Sequence, residues 1–404
     1  MVDGHSVCRD LDWVDRRDAR RGNGAVGGGM ESRHSRTNNL VAIQVLRCLA
    51  AVLVVVWHSH VSIKLFSESY WRDGDAVFRS VHYPFWANHF DCGVDIFFCI
   101  SGFVMCMLAD RTRASAGGTF LVDRFVRIWP PYWFFTLLAI AAYIVSPRFN
   151  MGELTGSWRN DFPHILKSLF LVPEDTLPVL RVGWTLVHEF LFYYFVAALI
   201  FLGQGKRVSL ALAAMSVIGV VLCIANVKIL YGFVLSPYYV QFFLGSLAYK
   251  WQHRLSRIYP ATQVIIGVAL YFLVSALLDA YRGPAIHMLI EMFGFGAVGF
   301  FLIIGSLGVY QAYQVKATYL SRLLARVGDA SYSLYLSHWF VLSFVGRLAT
   351  RIANAPILIV IVWHVSAIIL AIVFSVLFAE NIELPLHRAL SDHFRSRRLA
   401  SSSV

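Results

Sequence analysis

Residues 40–62 read LVAIQVLRCLAAVLVVVWHSHVS, and this stretch decides the fold class. It is long and apolar enough to cross a bilayer as a helix, which takes about 20 residues. Nine further stretches have the same character, at residues 93–109, 131–146, 184–203, 209–226, 232–249, 261–279, 285–310, 330–348 and 356–379. The sequence therefore predicts an all-α polytopic membrane protein with about ten transmembrane helices.

The composition supports the same class of protein. Hydrophobic residues make up 58% of the chain and charged residues 15%, whereas soluble domains are about a quarter charged. The net charge of +11 would suit a nucleic-acid-binding protein, but the basic residues concentrate in alternate loops, as the positive-inside rule requires. We expect a multi-pass protein of the bacterial inner membrane, with both termini in the cytoplasm, lipid around it and no nucleic-acid partner.

Three segments are predicted along the chain. Residues 1–39 are polar and rich in Arg and Gly, which predicts a disordered basic extension, and Met30 is an alternative start. Residues 40–390 form one transmembrane domain, and residues 391–404 form a short basic cytoplasmic tail. The six cysteines contain no CxxC pair, and neither a nucleotide-binding nor a metalloprotease motif occurs. No metal site is predicted.

Two ionisable residues lie within the first predicted span. Arg47 and His58 are eleven positions apart, which is about three helical turns, so they share one helix face and lie roughly 16 Å apart along the axis. Ionisable groups inside a membrane are functional candidates by default. The simpler explanations are that Arg47 reaches the inner headgroups and that His58 makes a structural hydrogen bond between helices.

Two carboxylates are predicted at the same depth as His58. Asp95 and Glu189 each fall near the outer end of a span. An imidazole flanked by carboxylates is suited to general-base chemistry, because a carboxylate can orient the ring and stabilise the imidazolium that forms. A buried structural polar network is the alternative.

Arg124 and Arg127 lie three residues apart at the predicted cytoplasmic surface, before the third span. Two guanidinium groups at this spacing can hold phosphates through paired hydrogen bonds, although the positive-inside rule alone would also explain them. The remaining polar or small residues in or beside spans are weaker candidates, with helix packing or helix termination as the alternative; they are Ser101, Gly102, His338 and Glu383.

Six motifs follow one another along the chain. They are Arg47 and His58 with ten residues between them, GVDIFFCISGF from Gly93, Arg124 and Arg127 with Pro130, WTLVHEFLFYY from Trp184, SYSLYLSHW from Ser331, and IELP from Ile382. In this order they resemble the motifs of the membrane-bound acyltransferase type 3 family over roughly residues 40–390. Each motif is weak alone, and the ordered set is specific.

The resemblance implies transfer of an acyl group, usually acetyl, from acyl-CoA to a hydroxyl of a glycan. Within the family the chain looks most like bacterial exopolysaccharide O-acetyltransferases. Acyl-CoA would be a substrate and no cofactor would be bound permanently. The acceptor would be a polysaccharide or a lipid-linked oligosaccharide, and polysaccharide assembly machinery is a candidate partner.

The resemblance also assigns expected roles to individual residues. His58 would act as general base with Asp95 or Glu189 orienting it. The donor would be held by Arg47, Arg124 and Arg127 at the cytoplasmic face. Structural or substrate-contacting roles would fall to Ser101, Gly102, Trp184, His338 and Glu383.

Two other classes of protein fit buried Arg, His, Asp and Glu. A transporter or flippase of a lipid-linked saccharide would use such residues in a proton relay. A non-catalytic membrane subunit of a polysaccharide assembly complex would need none of them for chemistry.

Overall fold

The computed structural model describes residues 29–70, 84–145, 154–227, 232–281, 283–312, 318–349 and 357–401. Within these ranges every regular element is helical. The α-helices, in chain order, are α1 Gly29–Tyr70, α2 Gly93–Arg111, α3 Gly117–Val145, α4 Trp158–Leu169, α5 Trp184–Phe201, α6 Val208–Ile224, α7 Tyr239–Leu255, α8 Pro260–Ala280, α9 Pro284–Ala312, α10 Tyr319–Asp329, α11 Ser331–Ala349, α12 Ile357–Phe378 and α13 Leu384–Ser401.

Eight helical segments among the described residues are long and apolar enough to cross a membrane. The all-α, multi-span class predicted from the sequence is therefore confirmed. The most enclosed of the eight contains α2, with 83% of its apolar window buried, whereas those containing α6, α8 and α12 are each 28% buried. Thus α2 lies inside the bundle, and α6, α8 and α12 present apolar surface outward, as lipid-facing helices do.

The other two predicted spans, 232–249 and 330–348, form helices that fall outside this set of eight. Helix α7 begins only at Tyr239 and is 17 residues long, and α11 is rich in Ser, Tyr and His. Both helices bury polar side chains within the bundle, including Gln241 on α7 and Ser337 on α11. A helix enclosed by other helices can be shorter and need not have a uniformly apolar surface, which accounts for the length of α7 and the polar residues of α11.

Helix α3 is longer than the predicted third span. It begins at Gly117 and runs through Pro130 and Pro131, so Arg124 and Arg127 lie on the helix and not in a preceding loop. In the same way α1 begins at Gly29 and therefore includes residues 29–39, which the sequence had placed in a disordered extension. Residues 1–28 lie outside the described residues.

The connection between α3 and α5 contains the amphipathic helix α4. Indole nitrogens of Trp129 and Trp133 donate to the Leu169 carbonyl at 3.0 and 2.8 Å, and the Tyr132 hydroxyl donates to the Ser168 carbonyl at 2.7 Å. These bonds satisfy carbonyl groups at the end of α4 and hold this connection against α3.

Glycines bring α2 and α7 into direct backbone contact. A Cβ atom added to Gly102 would lie 2.1 Å from the Phe242 carbonyl oxygen, and one added to Gly245 would lie 1.9 Å from the Cys99 carbonyl oxygen. This is the close approach that small residues permit in membrane bundles. The packing role predicted for Gly102 agrees with this geometry.

We expect Gly102→Ala to lower the free energy of unfolding by about 1–3 kcal/mol, because the methyl group meets backbone that has no room to move. Denaturation of the purified protein in detergent measures the change. Gly118→Ala is the matched control, since its nearest neighbour, Phe201 Cζ, is 3.7 Å from the added Cβ. Equal losses in the two variants would contradict the expectation.

Candidate active site

The predicted arginines come together at one end of the bundle. Both Arg47 on α1 and Arg127 on α3 interact electrostatically with Glu383, which follows α12 in a single π-helical turn. The Ser333 hydroxyl donates a hydrogen bond to the buried Glu383 carboxylate. We call Arg47, Arg124 and Arg127 the arginine cluster.

Asp329, at the end of α10, was not identified from the sequence but belongs to this region. It interacts with Arg47 and Arg127, and burial raises its pKa to about 7. Near neutral pH its carboxyl group is therefore only partly ionised and neutralises the arginines incompletely. Arg124 also has a buried Nε with no hydrogen-bond partner within the described chain. The cluster thus keeps positive charge and an unused donor for an anionic ligand.

His58 lies further along α1, on the face predicted from its spacing to Arg47. Its Nδ1 is 3.0 Å from the Val54 carbonyl oxygen. A carbonyl oxygen only accepts, so Nδ1 carries the proton and Nε2 carries the lone pair. This is the tautomer that a general base requires at Nε2.

His338 on α11 is packed directly against His58. The two ring centroids are 4.8 Å apart, and the Trp339 ring lies 5.5 Å from His58 on the same side. We call His58 and His338 the histidine pair. The sequence placed His338 only among structural or substrate-contacting candidates, because nothing in its spacing shows that α11 crosses α1 at this point.

Arg181, just before α5, is a second residue that sequence reasoning missed. Its charge acts on the His58 ring, although it lies far from His58 in sequence and at the very first residue of the apolar segment Arg181–Phe201, before the predicted span 184–203. No motif singles it out. Its position three residues before Trp184 gives no sign of its interaction with His58.

Glu189 on α5 lies between the arginine cluster and the histidine pair. The Ser101 hydroxyl donates to its Oε1 at 3.1 Å, and the Tyr193 hydroxyl donates to the same oxygen. It also interacts electrostatically with Tyr332 and Tyr335 on α11. Ser101 and Glu189, predicted separately, therefore belong to one hydrogen-bonded group.

Tyrosines of α11 extend this polar group in both directions. The Thr185 hydroxyl donates to the Tyr335 hydroxyl at 2.9 Å, and the Tyr335 ring lies 6.0 Å from that of His338. The Tyr332 hydroxyl donates to the Ile128 carbonyl at 2.7 Å, one residue beyond Arg127. A line of polar side chains thus runs through the bundle from the arginine cluster to the histidine pair.

Asp95 faces a different part of the bundle. Its buried carboxylate accepts a hydrogen bond from Gln241 on α7 and interacts with Asp91 and Glu291. Among the described residues neither Asp95 nor Glu189 hydrogen-bonds to His58, so the expected carboxylate contact to the ring is absent there. The Val54 carbonyl orients the ring instead. The prediction that Asp95 and His58 lie at a similar depth did not show which side of α2 carries Asp95.

Trp184, the first residue of α5, packs in an aromatic group, and within the described chain its ring does not pack against the histidine pair. Its ring lies 5.6 Å from Tyr238 and 5.8 Å from His188. In the described part of the chain, no group of three or more His, Cys, Asp or Glu side chains is arranged to hold a metal ion.

Residues 40–380 match the model of the acyltransferase domain family. The match covers most of the 404 residues, so the chain belongs to this family and is a membrane acyltransferase. The family resemblance read from the six motifs is confirmed.

The chain is also similar to an individual curated protein, the exopolysaccharide production protein ExoZ of Rhizobium meliloti (strain 1021). The two are 31% identical over 323 residues, which cover 76% of this chain and 92% of that protein. No solved structure matches the chain.

Proposed function

We propose that the protein is an O-acetyltransferase of the bacterial inner membrane. It transfers an acetyl group from cytoplasmic acetyl-CoA to a hydroxyl of an extracytoplasmic glycan such as exopolysaccharide. The relative's name, exopolysaccharide production protein, supports this class of acceptor. The observation that carries the proposal is the placement of the arginine cluster and the histidine pair at two levels of one bundle, joined by polar side chains.

The arginine cluster suits the phosphate groups of the donor. A CoA thioester carries its phosphates at one end and its acyl group at the end of a long, thin pantetheine arm. Along α1, Arg47 and His58 are separated by roughly 16 Å, which is a distance that such an arm can span. Arg124 and Arg127 offer the paired guanidinium donors that bind phosphates well.

At the histidine pair, the His58 Nε2 lone pair takes the proton of the acceptor hydroxyl as the oxygen attacks the thioester carbonyl. The C–S bond then breaks with its electrons on sulfur, and the proton passes to sulfur, so that the products are an O-acetyl ester and free CoA. Arg181, whose charge acts on His58, would favour the negative charge that develops on the carbonyl oxygen. Glu189 holds the polar side chains between the two levels in place.

A transporter or flippase of a lipid-linked saccharide is the alternative function, because buried ionisable residues also suit a proton relay. The two functions differ in what happens to the donor. A transferase consumes acetyl-CoA and leaves its acetyl group on the glycan, whereas a transporter moves the saccharide without consuming acetyl-CoA.

We expect membranes containing the protein to transfer radiolabelled acetyl from acetyl-CoA to glycan, and membranes from a deletion strain to lack this transfer. NMR of the glycan from both strains identifies the acetylated hydroxyl. Glycan that is equally acetylated in both strains, with saccharide transport lost in the deletion strain, would favour the transporter.

A further inference from the structure

His338 carries a buried lone pair with no partner in the described structure. Its Nδ1 is 2.9 Å from the Leu334 carbonyl oxygen and is therefore protonated, which leaves Nε2 as an acceptor. The side chain is fully buried, and Nε2 has no hydrogen bond within the described residues. A buried unpaired acceptor is unfavourable, so this atom is available to a donor that forms during the reaction.

His58 is the neighbour able to become that donor. Its ring lies 4.8 Å from that of His338, with the two planes 57° apart. Both Nδ1 atoms donate hydrogen bonds to carbonyl oxygens of their own helices. In the resting protein both Nε2 atoms therefore carry a lone pair and no proton, so they cannot hydrogen-bond to each other. Once His58 holds a second proton, its Nε2–H is a donor beside the His338 acceptor.

The surroundings of the half-buried His58 ring favour such an acceptor. Within the described chain no carboxylate hydrogen-bonds to His58, and the charged group acting on it, Arg181, repels an imidazolium. The Tyr335 ring, 6.0 Å from His338, is the other titratable group packed beside the pair. An imidazolium buried without a hydrogen-bonded partner is strongly unfavourable.

We infer that His338 is a positioning residue whose Nε2 accepts a hydrogen bond from the Nε2–H of protonated His58 during acyl transfer. The inference rests on the proposed function. The proton moves from the acceptor hydroxyl to His58 and then to the sulfur of CoA, and His338 gains and loses no proton. The bond forms through a small rotation of the rings, since catalytic hydrogen bonds often tighten only when substrate is bound.

His338→Phe removes the acceptor and keeps an aromatic ring of similar shape. We expect kcat to fall by roughly 10- to 100-fold, which corresponds to one charge-assisted hydrogen bond, while KM for both substrates changes less than about twofold. The acid limb of the pH–kcat profile should move to lower pH by about one unit, because protonated His58 has lost its acceptor and forms less readily.

His338→Gln keeps an acceptor at similar reach, so it should restore much of kcat and return the acid limb towards the wild-type position. If His338→Phe does not fold, His338→Leu takes its place as the variant without an acceptor and is compared with His338→Gln. The control is His364→Phe, which changes another buried histidine, on α12.

A purely structural role predicts another pattern. His338→Phe and His338→Gln would both lower the yield of folded protein, and the acid limb would stay in place; that result would overturn the inference. Wild-type kcat in folded His338→Phe would also overturn it and would leave the proposed function intact. Absence of acetyl transfer by the wild-type protein would instead reject the proposed function.

Discussion

His58→Ala is expected to reduce acetyl transfer by about 10²- to 10⁴-fold, which is the range for removing a general base. The variant keeps α1 and its packing but removes the Nε2 lone pair that takes the hydroxyl proton. KM for acetyl-CoA should change little, because the arginine cluster lies about three turns away along the helix. Radiolabelled acetyl transfer by purified protein in nanodiscs measures both values.

His58→Gln sharpens this first prediction. It retains a polar side chain of similar length but has no basic nitrogen, so it should be as inactive as His58→Ala. His253→Ala, at an exposed position near the end of α7, is the matched control and should behave as wild type. Folded His58→Ala protein with more than about a tenth of wild-type kcat would reject the general-base role, since even the weakest general base contributes roughly 10²-fold.

Arg124→Ala combined with Arg127→Ala is expected to raise KM for acetyl-CoA by roughly 10²- to 10⁴-fold. Each guanidinium lost from a phosphate removes a charge-assisted hydrogen bond worth about 1.5–3 kcal/mol. The chemical step at the histidine pair should be affected much less, so kcat at saturating donor should stay within about threefold of wild type. Initial rates over a range of acetyl-CoA concentrations separate the two parameters.

A shortened donor distinguishes phosphate binding from a general loss of structure. Acetyl-pantetheine has the thioester and the arm but lacks the nucleotide phosphates, so the wild type and the double variant should use it equally well. Arg254→Ala with Arg257→Ala is the matched control, because these exposed arginines have the same spacing beside α7. If the control pair raises KM equally, the arginine cluster is not the phosphate site.

Helical periodicity predicted the parts of the site that lie on one helix. Arg47 and His58 share a face of α1 at a calculable separation, and Arg124 and Arg127 lie one turn apart. Burial of polar residues in apolar stretches also marked Ser101 and Glu189, which hydrogen-bond to each other. In each case the relevant information is local to a short stretch of sequence.

The parts that sequence could not predict depend on how helices rotate and cross. Asp95 was placed at the depth of His58, but it faces α7 and bonds to Gln241. His338 was recognised as polar, yet its contact with His58 needs the position of α11 beside α1. Arg181 acts on His58 from the turn that precedes α5, outside the predicted span, where helical periodicity gave no guide.

Two predicted spans, 232–249 and 330–348, form helices α7 and α11, which lie outside the set of eight long apolar helices among the described residues. Hydropathy measures how well a helix suits lipid, whereas α7 and α11 are surrounded largely by other helices. Gln241 and Ser337 are unfavourable in hydrocarbon but are buried in the protein interior. This enclosure allows α7 and α11 to supply polar groups to the bundle.

The Val54 carbonyl belongs to the same helix as the ring it orients, four residues earlier. A ring held by a group from another helix depends on where that helix lies. His58 instead carries its orienting group on its own helix, so its tautomer does not depend on the positions of neighbouring helices.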